Sequence, residues 1–176
     1  MIFTLTEVEG VFLIDPERLE DERGFFARTW CEAEFAAHGI QVSMPQCNIS
    51  FNRRKGTLRG MHYQREPHGE GKLVRCTMGV LLDVMIDLRP DSPTYLKHVS
   101  AELSAENRRM LYGPPGCAHG FQTLQDDTEV FYQMTVPYLP EAAAGVRYND
   151  PAFALSWPLP VAEITERDRG WPEYRG

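Results

Sequence analysis

Cysteine is scarce in this chain and shows no pairing pattern: Cys31, Cys47, Cys76 and Cys117 are its only four in 176 residues, and none forms a Cys-x-x-Cys spacing. That argues against a disulfide-stapled scaffold or a thiolate zinc site and leaves reduced, mostly buried thiols as the expectation. Long hydrophobic runs are missing too, and none approaches the roughly 20 residues that span a bilayer. The opening Met1-Ile2-Phe3-Thr4-Leu5-Thr6-Glu7 lacks a basic leader and meets Glu7 and Glu9 early, so no signal peptide and a cytoplasmic location are expected. Positive charge is in deficit. Eighteen Lys and Arg against 25 Asp and Glu give a net charge of -7, which disfavours nucleic acid and anionic membrane as partners. Any anionic ligand then needs a focused pocket.

What is present is an ordinary globular composition, 43% hydrophobic and 11% aromatic, enough for one domain with a sizeable core over residues 1–176. Short apolar runs bounded by Gly and Pro turns dominate. Val11–Ile14, Val80–Leu88, Val99–Leu103 and Thr128–Met134 read as strands. Cys31–His38, closed by Gly39, suits one short helix, and Ser104–Arg108 a helical turn. With no long helix, repeat or linker, the fold class is mainly β: a single sandwich, jelly roll or barrel with a few short helices.

Two histidines stand out. Arg59-Gly60-Met61-His62-Tyr63-Gln64 and Pro114-Pro115-Gly116-Cys117-Ala118-His119-Gly120-Phe121 set each one in a glycine-punctuated, otherwise apolar, strand-like segment. Imidazole titrates close to neutral pH, so it suits an enzyme that must take a proton and return it. The spacing from Gly56 to His62, followed by Pro114-x-Gly116-x-x-His119, is similar to metal-binding cupin motifs. Ligand count argues against a metal. Gln64 stands where a second histidine would, and Glu70 falls in a glycine-rich turn, leaving two good ligands where transition metals usually take three or four.

Seven segments occur in order: Asp21-Glu22-Arg23-Gly24-Phe25-Phe26, Gln46-Cys47-Asn48-Ile49-Ser50, Leu58 to Gln64, Lys72-Leu73-Val74-Arg75-Cys76, Ser92-Pro93-Thr94, Ala118-His119-Gly120-Phe121 and Asn149-Asp150-Pro151. Together they resemble the dTDP-4-dehydrorhamnose 3,5-epimerase family, from near residue 7 to about Asp168. The resemblance implies a cupin-like jelly roll, a homodimer, no metal or organic cofactor, and a nucleotide-diphosphate sugar as substrate, a 4-keto-6-deoxy hexose. It further implies that His62 is the base, Asp168 the carboxylate orienting it, and Tyr132 the acid. Arg59, Lys72 and His119 become candidates for holding enolate charge or diphosphate. Arg23 and Arg167 match diphosphate positions, Gln46, Asn48 and Phe26 match sugar or base positions, and Tyr138 matches an active-site aromatic.

Some positions depart from the family. Arg28 and Ala143 stand where many members carry carboxylates, which leaves the nucleotide base open. Gly71 and Pro115 also differ, in turns. With Arg169 to Gly176 following Asp168, no longer C-terminal helix is expected. Three readings follow: a 3,5-epimerase on the route to L-rhamnose, a mono-epimerase or one acting on another nucleotide sugar, and a non-catalytic nucleotide-sugar binding cupin.

Overall fold

The computed structural model describes residues 1–175. In chain order its elements are β1 (Ile2–Leu5), β2 (Phe12–Asp15), β3 (Leu19–Asp21), β4 (Gly24–Phe26), α1 (Glu32–Ala37), β5 (Gln46–Asn52), β6 (Leu58–Gln64), β7 (Lys72–Met78), β8 (Val80–Asp87), β9 (His98–Ser104), β10 (Met110–Gly113), β11 (Cys117–Thr123), β12 (Thr128–Met134), β13 (Ala143–Gly145) and α2 (Glu166–Arg169). Six strands form one sheet in the order β1-β2-β10-β7-β12-β5, and five form a second in the order β13-β6-β11-β8-β9. Pairing is antiparallel throughout both sheets, and β3 and β4 make a separate two-stranded ribbon.

The sandwich follows from alternation. Val74 and Cys76 of β7, Leu81 and Met85 of β8, Leu111 of β10 and Val130 of β12 turn inward and form the inter-sheet core with Val99, Leu103 and Phe121. On β8 the other face is apolar as well, because Val84 and Ile86 meet Val146, Phe153, Leu155 and Trp157 of the C-terminal coil. That cover explains the nearly continuous apolar run from Val80. The six-stranded sheet is covered by α1, which drives Phe35, fully buried, onto Phe12, Ile14, Leu73, Met110 and Tyr112. Burying such a ring is worth about 1.5–3 kcal/mol.

The expected helix is shorter than its segment, with Cys31 and His38 as its caps, and Gly39 takes the left-handed conformation (φ +79°) that ends it. Ser104–Arg108 closes as one hydrogen-bonded turn, Arg108 N to Ser104 O at 3.1 Å, after β9. The helix α2 was not anticipated. Thr165 caps it by accepting from the Asp168 amide, which lets four residues hold a turn. All four cysteines are free, but only Cys76 and Cys117 are buried, while Cys47 is exposed on an outward-facing position of β5.

Candidate active site

The glycines beside the histidines serve a close approach between strands. Gly60 has φ +141°, and a Cβ there would lie 2.6 Å from Gly120 Cα. Only with both positions bare can β6 and β11 pinch at this point, where the register shifts between His119 and Phe121. One step away, His62 and His119 are direct cross-strand partners.

His62 Nε2 lies 2.6 Å from Asp168 Oδ1, and the Gly60 amide donates to Asp168 Oδ2 at 3.3 Å. The segment before α2 is tied to β6 by Leu58 N donating to Glu163 O at 2.8 Å, which fixes where Asp168 arrives. Burial pushes the Asp168 carboxyl up, but hydrogen bonding and charge attraction from His62, with the Gly60 amide, outweigh it and hold it below the usual range. An ionised Asp168 can only accept. Nε2 therefore donates, leaving the Nδ1 lone pair free. His119 has its own carboxylate, Asp83 of β8, with Nε2 2.7 Å from Oδ1 in a buried pair; burial raises the Asp83 carboxyl.

Tyr132 sits mid-strand on β12, facing inward beside Val130, and burial, then the Glu70 charge, raise its phenol, so it holds its proton at neutral pH. Lys72, the first residue of β7, is buried and bonded to Glu70 Oε1 at 2.5 Å and to His62 O at 3.4 Å. Two cavities meet here. One of about 320 Å³ is lined by Gln46, Asn48, Glu70, Tyr138, Ala143 and Arg167, the other of about 340 Å³ by Ser50, Arg59, His119 and Phe121, and His62, Lys72 and Tyr132 line both.

Most of the residues singled out in the sequence thus converge. Gln46 and Asn48 are joined at 3.2 Å, Gln46 Oε1 accepts from the Tyr138 amide at 2.9 Å, Arg59 is braced by Asn52 at 2.7 Å, and Arg167 lies 5.2 Å over the Trp171 ring. Arg23 and Phe26 do not join them in this chain. Both ride on the exposed β3–β4 ribbon, with Arg23 paired to Asp21 and Phe26 68% exposed. Arg28 is likewise outside the cleft, bound to Glu34 at 2.6 Å. Gln64 is engaged in structure, contacting His68 O, Pro137 O and the Leu139 amide. Ser92 and Thr94 bind Asp87, and Asp150 binds the Ala152 and Tyr174 amides, so those two motifs fix loops.

Two carboxylates close to these residues carry no signal of their own in the sequence. Asp83 looks like an interruption in an apolar strand, and its partner lies 36 positions away, so only strand register brings them together. Glu70 reads as a turn residue between Gly69 and Gly71, and only the fold shows its carboxylate meeting Lys72.

A jelly-roll sandwich with a histidine–carboxylate pair, an inward tyrosine and a buried lysine around one cleft defines a cupin-like enzyme built for proton transfer. The family model described as dTDP-4-dehydrorhamnose 3,5-epimerase matches residues 5–175, and the chain belongs to that family of carbohydrate epimerases. The dTDP-4-dehydrorhamnose 3,5-epimerase of Sinorhizobium fredii is 43% identical over 173 residues, 98% of this chain and 89% of the relative. Its counterpart from Bacillus anthracis, solved with TDP and PPi bound, superposes with a TM-score of 0.94 at 35% identity, covering 98% of this chain and 99% of that one. The Legionella pneumophila enzyme in complex with dTDP-4-keto-L-rhamnose gives 0.89 at 33% identity, covering 99% of each chain.

Proposed function

We propose that this chain epimerises dTDP-4-dehydro-6-deoxyglucose at C3 and C5, giving dTDP-4-dehydro-L-rhamnose for L-rhamnose biosynthesis. The observation that carries this reading is the His62–Asp168 pair opening onto the same cleft as Tyr132, in a member of this family. The C4 ketone of such a sugar acidifies the hydrogens on C3 and C5. His62 Nδ1 takes one of them, the electron pair moves into an enolate, and Asp168 stabilises the imidazolium that results. Tyr132 then delivers a proton to the opposite face of the carbon, inverting it. Only protons move and no oxidation state changes, so the step calls on no redox cofactor.

The two cavities suggest a division of the substrate. Tyr138 and Arg167 at one end offer an aromatic face and a cation for base and diphosphate, with Gln46 and Asn48 beside them. Arg59, Lys72 and His119 surround the other end and can hold the enolate oxygen. For a chain of net charge -7, these local cations are what make an anionic ligand welcome. Ala143 in place of a carboxylate removes one acceptor from this cavity, so selection of thymine rests on the remaining contacts.

Arg23 and Phe26 fit the same reading if the enzyme is a homodimer whose exposed ribbon reaches the cleft of a second copy. Phe25, 42% exposed, and Phe26 give that ribbon an apolar surface to bury. Sedimentation showing a monomer at micromolar concentration would remove the dimer and both assignments. The reaction itself is tested by proton NMR in deuterated water with dTDP-4-dehydro-6-deoxyglucose. Loss of both the C3 and C5 signals is expected; exchange at one carbon alone would make the protein a mono-epimerase.

A further inference from the structure

Glu70 has no place in the mechanism above, yet it is the most unusual side chain in the cleft. It is 5% exposed and lines the cavity that holds His62 and Tyr132. Its Oε1 takes the Lys72 ammonium at 2.5 Å, while its buried Oε2 has no hydrogen-bond partner among the described residues. An ion pair kept only for stability does not explain this. A half-satisfied buried carboxylate is costly, and a glutamine of the same shape would give Lys72 an acceptor without a second charged oxygen. Such costs persist where function requires them.

The backbone around Glu70 is fixed. The Gly71 amide donates to Thr135 Oγ1 at 2.7 Å and the Thr135 amide to Gly71 O at 3.0 Å, tying the loop to the end of β12. Adding a Cβ at Gly71 would bring it 3.1 Å from Gly113 O. Carboxylate and lysine are thus presented from two anchored points.

We propose that Glu70 is a positioning residue of the reaction: it holds the Lys72 ammonium at the junction of the two cavities, between His62 and Tyr132, where the enolate oxygen forms. This rests on the epimerase reading. Lysine carries a long flexible stem, and without a fixed partner the ammonium would sample many rotamers, weakening stabilisation of a charge that exists only in the transition state and intermediate. The Glu70 charge also bears on Tyr132, which is faced by Arg59 of β6 and by Tyr138 as well, with Lys72 and His62 on the same cavity.

The experiment compares wild type, Glu70→Gln, Lys72→Met and the double variant, with thermal midpoints recorded. The wild type must first exchange the C3 and C5 hydrogens, since failure there sinks the epimerase reading itself. Glu70→Gln is expected to lower kcat roughly tenfold or more with KM changed less than about threefold. In the Lys72→Met background the same change should cost less than about twofold, because a residue acting through another has nothing left to position. The double variant leaves no unpaired buried charge, so it guards against a folding failure. The alkaline limb of kcat, set by Tyr132, should move to lower pH in Glu70→Gln. A titration of Tyr132 absorbance, read against Tyr132→Phe, checks the same coupling without turnover. Additive losses from the two substitutions, or an unmoved Tyr132 titration, would overturn the proposal.

Discussion

His62 and His119 stand directly opposite each other on β6 and β11, yet each ring is tied through Nε2 to a different carboxylate, Asp168 at 2.6 Å and Asp83 at 2.7 Å. The environments differ in two respects that decide their chemistry. The His62 side chain is 39% exposed and Asp168 is held ionised, whereas the His119 side chain is 9% exposed on a carboxyl that burial pushes toward neutrality. A base must be reachable and must be able to share its new charge with an anion. His62 meets both conditions.

Replacing Asp168 by Asn therefore has a definite consequence. An amide can offer a donor to Nε2, which favours the tautomer with the proton on Nδ1 and removes the lone pair that faces the substrate. Hydrogen exchange at C3 and C5 is expected to fall by about 10²- to 10⁴-fold, with folding intact. Asp83→Asn should leave exchange within roughly tenfold of wild type, because it loosens a donor and spares the base. If single-turnover deuterium uptake suffers equally in both, the base is not assigned by its carboxylate.

Tyr132→Phe separates the two halves of the reaction. Phenylalanine keeps the ring that packs beside Val130 and deletes only the hydroxyl, so the core is preserved. Abstraction by His62 can still occur, and the enolate can take its proton back from the same face. Deuterium uptake is expected to persist within about a hundredfold of wild type while net inversion drops much further. Equal loss of exchange and inversion, measured in one NMR sample, would remove Tyr132 from its role.

How far this site was legible from sequence depended on the range of each interaction. The histidines announced themselves because the glycines that let β6 and β11 pinch are their neighbours in the chain, and Thr128–Met134 was legible as a strand over its whole length. Asp83 did not, since a carboxylate in the middle of Val80–Asp87 acquires meaning only through the register that sets β8 against β11. Glu70 was hidden by its turn. The covered outer faces were equally invisible, because that residues 146–157 cross back over the five-stranded sheet is a long-range fact; α2 is a single turn sustained by one threonine cap, too short to show a helical period. Arg23 and Phe26 were legible as a motif but not as a place, because a three-residue strand with every residue exposed carries no burial pattern to orient it.

Gly60→Ala tests the pinch itself. A methyl group at that position would lie 2.6 Å from Gly120 Cα and 3.2 Å from His119 O, and at φ +141° an L side chain is strained whatever the space. Backbone lines both contacts, so no rotamer relieves them. The strands must part at the step that aims both histidines, and the Gly60 amide loses its hold on Asp168. Destabilisation of at least about 3 kcal/mol in denaturant unfolding is expected, with activity lost even in the folded fraction. A fully active variant with an unchanged midpoint would mean that the close approach is not required.

Asp87 supplies a pH signature that is independent of catalysis. Its carboxylate accepts from Arg89 at 2.8 Å, Ser92 at 2.5 Å and Thr94 at 2.7 Å, and although burial works against ionisation, these bonds lower its pKa from 3.8 to about 2. A depressed folded-state pKa stabilises the native form above the unfolded value and is lost as pH falls through the folded one. The contribution is then fully present above about pH 4 and disappears towards pH 2, with a size on the order of 2 kcal/mol. Asp87→Asn should consequently be less stable than wild type at pH 7 by about that amount. The gap should narrow steadily between pH 4 and the acid limit, as read by urea midpoints at each pH. A gap that stays constant across this range would show that the Asp87 carboxylate anchors the Arg89–Thr94 loop by shape and not by charge.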